Sequence, residues 1–141
     1  MHLALITEGS EFTVYGIVAR GNVVDFLKKL RKDDRGEYSR MDRRLTQLAE
    51  RGASRRRTEF NNLGDGLYEM KTRGGARVMF FYDVKRLIIC TQGFAKKSRK
   101  TPGYEIKKAR DRQAVYERVK QQDGRFNILI TDKQQTPKRQ P

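Results

Sequence analysis

Apolar positions recur along this chain at two spacings, every second residue in some stretches and every third or fourth in others. Residues 11–19 are rich in strand formers, with Phe12, Val14 and Val18 on one face and Thr13, Tyr15 and Ile17 on the other. Asn22 then stands where a helix cap belongs, ahead of Val23, Phe26, Leu27 and Leu30 at helical spacing. A second helix is predicted over 37–50, with Tyr38, Met41, Leu45 and Leu48 as its inner stripe and Gly52 as its stop. Strand-like runs return at 67–73, 76–82 and 87–92, the first two separated by Gly74-Gly75. A patchier helical stripe of Ile106, Ala109, Ala114, Val115 and Val119 covers 105–121, and 126–131 reads as a short last strand. These elements make one domain over 1–131, with no internal repeat. Residues 132–141 are polar and basic with two prolines, and read as a disordered tail.

The Gly74-Gly75 turn decides which side chains share a face. A two-residue loop puts Arg73 opposite Ala76, Thr72 opposite Arg77 and Met70 opposite Met79. A one-residue bulge reverses the relation and is compatible with two glycines, so whether Lys71 sits beside Arg77 stays open. Arg77 is the notable residue in either register, because a charge inside a hydrophobic strand needs a partner or a site. Tyr68, Phe80 and Phe81 read as core.

Composition narrows the chemistry. Lys and Arg number 32 against 17 Asp and Glu in 141 residues, a formal charge of +15, and a polyanion is the expected partner. The longest apolar run near the hairpin, Val78-Met79-Phe80-Phe81-Tyr82, is far too short to span a bilayer, and Met1 to Ile6 lacks signal-peptide character. The reading is a soluble, cytoplasmic protein with no membrane partner. His2 is the single histidine and Cys90 the single cysteine, so the chain cannot build a Cys/His zinc site or a Ser-His-Asp triad. No metal and no cofactor are expected, and Cys90 reads as a buried, inert thiol. Arg40, Arg43, Arg44 and Arg51 read as a solvated helix face, whereas Arg55, Arg56 and Arg57, clustered in a polar stretch, are candidate RNA-binding residues together with Lys71, Arg73, Arg99 and Lys100.

The ordered set Gly66-Leu67-Tyr68-Glu69-Met70-Lys71, Arg77-Val78 before Phe80-Phe81-Tyr82-Asp83, and Gly93-Phe94-Ala95-Lys96-Lys97 with Thr101-Pro102 resembles the RelE/ParE toxin superfamily, and within it the HigB-like, phage-related branch. The resemblance runs from about Phe12 to Tyr116. It implies an α+β fold, a small curved antiparallel sheet flanked by N-terminal helices and a C-terminal helix. It also implies a toxin of a type II toxin–antitoxin system, a metal-independent endoribonuclease that cuts messenger RNA on the ribosome and is restrained by a helix-turn-helix antitoxin. Carried over by position, the catalytic candidates are Arg77, Lys96, Lys97 and Tyr104. Lys71 departs from the arginine common at its position, which keeps the charge and loses the bidentate fork.

The residue types suit that chemistry. Attack of a ribose 2′-oxygen on the adjacent phosphorus needs a base for the 2′ proton, cations for the phosphorane and an acid for the leaving 5′-oxygen. Arg77 suits the middle role because its guanidinium holds two phosphate oxygens at once. A lysine serves as base only where neighbouring cations disfavour its charged form. Tyr104 is suited to stacking on a base or to donating a proton. Two other classes fit the same sequence: a same-fold toxin that poisons a protein such as DNA gyrase without catalysis, and a non-catalytic RNA- or ribosome-binding module.

Overall fold

A computed structural model of the chain describes residues 1–96, 100–122 and 125–130. Among them, strands β1 (His2–Glu8) and β2 (Thr13–Ile17) precede helices α1 (Val23–Asp33) and α2 (Arg35–Arg51). Strands β3 (Phe60–Gly64), β4 (Leu67–Lys71), β5 (Ala76–Asp83) and β6 (Leu87–Ala95) follow, then helix α3 (Gly103–Gln122) and strand β7 (Asn127–Ile130). The strands form one sheet in the order β3-β4-β5-β6-β2-β1-β7. β3 to β6 form an antiparallel meander, of which the alternating runs suggest β4 to β6, and β1, which those runs do not include, pairs antiparallel with β2. Two joints are parallel, β2 to β6 and β1 to β7. The α+β fold with flanking helices is therefore as expected, on a sheet that is larger and mixed.

Helix boundaries follow from their caps. The Asn22 side chain accepts the Asp25 N–H at 2.8 Å, and the Asp34 carboxylate accepts the Glu37 N–H at 3.1 Å to begin α2 immediately after α1. Gly52, at φ +80°, closes α2 by donating its N–H to the Leu48 carbonyl at 2.8 Å.

The two faces of the sheet are covered differently. α1 and α2 lie on one face, where Val23, Leu27, Met41, Leu45 and Leu48 pack on Val14, Met70, Val78, Phe80, Ile88 and Cys90 in one buried cluster. α3 lies on the other, where its buried residues are Glu105, Ala109 and Tyr116. Ala109 packs with Leu67 and Met79, and Tyr116 with Leu3, Ile17, Phe81 and Ile89. Cys90 is fully buried, and burial pushes its thiol up from the usual range, so it is unreactive as expected. Among the described residues no helix is long and apolar enough to cross a membrane. The tail expected over 132–141 lies outside the described residues.

Candidate nucleic-acid interface

The β4–β5 turn takes the longer of the two forms open to it. Thr72 donates its N–H to the Ala76 carbonyl at 3.0 Å and Gly75 donates to the Thr72 carbonyl at 3.1 Å, which leaves three residues, Arg73-Gly74-Gly75, in the loop. Gly75 sits at φ +99°, a left-handed conformation that a side chain disfavours. Glu37 of α2 clamps this turn: its carboxylate accepts the Thr72 hydroxyl at 2.5 Å and the Ala76 N–H at 2.7 Å, and Arg40 binds its other oxygen at 2.8 Å. Burial works against the charge on Glu37, but the bonds from Thr72, Ala76 and Arg40 outweigh it and hold the carboxyl below its usual range.

The extra loop residue brings Lys71 directly opposite Arg77, and Arg77 in turn opposite Phe94 of β6. Directly opposed residues share a face, so Glu69, Lys71, Arg77, Met79, Gln92 and Phe94 all belong to the side covered by α3. At this end of the sheet Lys96 donates its backbone N–H to the Gly75 carbonyl at 2.7 Å, next to Arg73 in the turn. Lys71 and Lys96 are half-buried, Arg73 and Lys100 are exposed, and Tyr104, on the first turn of α3, is 69% exposed. Register alone thus gathers Lys71, Arg73, Arg77 and Lys96 at one end of the sheet. Lys97 and Arg99 lie outside the described residues.

Arg77 differs from its neighbours in being buried, at 5% exposure. One of its terminal nitrogens lies 3.4 Å from Glu69 Oε2 and 3.2 Å from Thr101 Oγ1, and the Thr101 hydroxyl donates to the same Glu69 oxygen at 2.6 Å. The three side chains close a ring that ties the segment before α3 to the sheet. Beside it, Gln92 donates through Nε2 to the Glu105 carbonyl at 2.8 Å and to its carboxylate at 3.2 Å. Farther along, Asp83 accepts the Tyr116 hydroxyl and the Lys120 ammonium, each at 2.5 Å. Burial disfavours the charge on Asp83, but these two bonds prevail and hold its carboxyl below the usual range, while burial and the Asp83 carboxylate push the Tyr116 hydroxyl up. Among the described residues there is no cluster of His, Cys, Asp and Glu suited to a metal ion.

The Arg55, Arg56 and Arg57 cluster belongs elsewhere. Arg55 and Arg57 border a cleft of about 660 Å³ on the α1/α2 side, with Tyr68, Tyr82, Asn61 and Asn62 among its other walls and none of Lys71, Arg77, Lys96 or Tyr104. Arg56 faces Glu59 at 3.9 Å. The sequence reading joined these arginines to the sheet-end cations through charge alone, which carries no information about the face of a sheet. It also missed Glu69 and Thr101 as partners of Arg77. The signal for Glu69 was its spacing from Arg77 across a glycine turn, which needed the turn length to be read.

A comparison with curated proteins returned no match for the chain. Residues 25–114 match the family described as phage-derived protein Gp49-like (DUF891), a span that runs from α1 into α3 and takes in both helices of one face, the whole antiparallel meander and the buried Arg77 network. Since that span covers well over half of the residues, the chain belongs to the Gp49-like family, a toxin–antitoxin-associated family within the RelE/ParE-like superfamily.

Proposed function

We propose that the protein is the toxin of a toxin–antitoxin pair and cleaves messenger RNA on the ribosome, without a metal, at the sheet end formed by β4, β5 and β6. The observation that carries this reading is the register that aligns Lys71 with Arg77 beside the Gly75–Lys96 contact. Two lysines and an arginine converging on one end of a sheet, in a chain of charge +15, provide for a phosphodiester what a metal ion would otherwise provide. Lys71 or Lys96 takes the 2′ proton, the cations hold the phosphorane, and a protonated lysine or Tyr104 returns a proton to the departing 5′-oxygen. The products are a 2′,3′-cyclic phosphate and a 5′-hydroxyl end. Arg77 is paired with Glu69, so its part in phosphate binding requires an RNA phosphate to replace that carboxylate.

A non-catalytic RNA-binding toxin is the second reading, favoured by the burial of Arg77 and its existing pairing with Glu69. The two separate on induced expression in a bacterial host with mapping of messenger RNA ends. Cleavage predicts new 5′-hydroxyl ends that disappear in Lys71→Ala and Lys96→Ala variants of native fold. Growth arrest without new ends favours the second reading. Coexpression with the product of a neighbouring antitoxin gene is expected to suppress both effects.

A further inference from the structure

We infer that the cleft between the end of α2 and strands β3 to β5 is a second binding site, for an unpaired base of a single-stranded nucleic acid and its adjoining phosphate. It opens on the face of the sheet opposite Arg77, and binding there is independent of the proposed cleavage. Three features support it. Tyr68 lines the cleft as a preset ring, stacked on Phe80 with centroids 5.5 Å apart and planes 17° apart, and braced edge-on by Tyr82 at 5.4 Å. A fixed aromatic ring of this kind is what a base stacks on, and the stacking tolerates any base because each has a π-face.

Asn62 supplies the polar edge, being paired directly with Tyr68 and so on its face, whereas Asn61 turns its side chain to the far face to bond Glu69 at 3.2 Å. Asn62 spends its amide oxygen on the Gly64 N–H at 2.9 Å. Its Nδ2 makes no hydrogen bond among the described residues and forms a donor beside the ring. The third feature is charge. Arg55 and Arg57 are exposed on the wall of the cleft and make no ion pair among the described residues, whereas Arg56 between them faces Glu59. Guanidinium groups flanking an aromatic ring with an amide edge match a nucleotide: phosphate at the rim, base on the ring. An acidic peptide would engage the arginines and leave the tyrosine and the Asn62 amide unused.

The test is a titration of the full chain with the single-stranded oligonucleotide hexaadenylate, followed by amide shifts in two-dimensional NMR. Shifts are expected at Asn61, Asn62 and Tyr68. An abasic ribose-phosphate hexamer is expected to bind roughly tenfold more weakly, the size of one lost base–aromatic stack. Tyr68→Leu is expected to weaken hexaadenylate by a similar factor, and the exposed pair Arg55→Glu/Arg57→Glu, which leaves the core intact, to weaken it at least as much. Equal affinity for the abasic hexamer, equal affinity for hexaglutamate, or shifts that bypass the cleft would each overturn the inference. Lys71→Ala and Lys96→Ala are expected to leave the shifts at Asn61, Asn62 and Tyr68 in place, so that failure of the cleavage reading is seen separately.

Discussion

The two faces of the sheet are built from different materials. The α1/α2 face buries Met41, Leu45, Leu48, Val78, Phe80 and Ile88, each at 1% exposure or less, and its attraction is non-directional. The α3 face buries Glu69, Arg77, Gln92, Thr101 and Glu105, and further holds α3 by the Tyr116 and Lys120 bonds to Asp83 and by Arg110 and Arg112 bonds to the Leu63 and Thr91 carbonyls. Buried ion pairs gain little over well-packed apolar groups of the same volume, because desolvation offsets the Coulombic attraction. A sheet with stability as its sole constraint would be aliphatic on both sides. The second face instead sets a buried polar network, with the arginine aligned with Lys71, beside the apolar clusters around Ala109 and Tyr116, and under the proposed function that network is kept at some cost in stability.

Breaking the Arg77 pair tests this contrast most strongly. Arg77→Ala leaves the Glu69 carboxylate buried and unpaired, and is expected to destabilise the protein by about 3–5 kcal/mol in chemical denaturation. Replacing both partners, Glu69→Leu with Arg77→Met, is expected to recover most of that loss while abolishing the proposed RNA cleavage. A double variant as unstable as the single one would mean that the polar face is structural. On the aliphatic face, Leu45→Ala is expected to cost about 2–5 kcal/mol through the cavity it leaves, with a loss nearly independent of salt and pH. A strong salt dependence for that variant would erase the distinction between the faces.

Glu37 sharpens the comparison because it is a buried carboxylate on the aliphatic side. Its folded-state value lies below its unfolded one, so the stability it contributes is fully present above the unfolded carboxylate value of about 4.3 and is lost as pH falls through the folded value. Glu37→Gln is expected to cost about 1–3 kcal/mol at neutral pH, and less in acid. Denaturation midpoints of the two proteins measured from pH 7 downward should converge, and parallel curves would remove Glu37 from the account of acid stability.

Local periodicity carried α1, α2 and β4 to β6, because each buries an apolar stripe that shows in a short window, and it carried the existence of α3 but not its face, since α3 buries Glu105, Ala109 and Tyr116 and leaves Ala114 and Val115 exposed. β1 and β3 were not foreseen, for different reasons. β3 contains Asn61-Asn62 and ends in glycine, poor strand material that is ordered by its pairing with β4. β1 has its alternation broken by a bulge between Leu5 and Thr7, and its partner β7 is over a hundred residues away in sequence. The cations of the candidate site were visible as residue types, and their convergence was visible in only one of the two turn lengths. The burial of Arg77 was not visible at all, since it depends on Thr101 and α3 folding back over the sheet. The cleft of Tyr68 and Asn62 was hidden because half-buried tyrosines have the same periodicity as core ones.

The register shift between β5 and β6 has a consequence in genetic terms. Met79 pairs with Gln92 and Phe80 with Cys90, so Thr91 is one residue more than the partner strand has. On either side of that residue Cys90 packs toward α1 and α2 while Gln92 reaches Glu105 on the far side. Beyond it stands Gly93, where even a Cβ would lie 2.4 Å from the Phe26 ring. An in-frame deletion of codon 91 would close the bulge and leave a regular strand, in which Gln92 still faces Met79 and Gly93 still faces Phe26. A deletion beyond the bulge, at codon 94, has no extra residue to absorb it and would send Lys96 to the side away from Lys71, so this gene is expected to tolerate the loss of codon 91 better than the loss of codon 94.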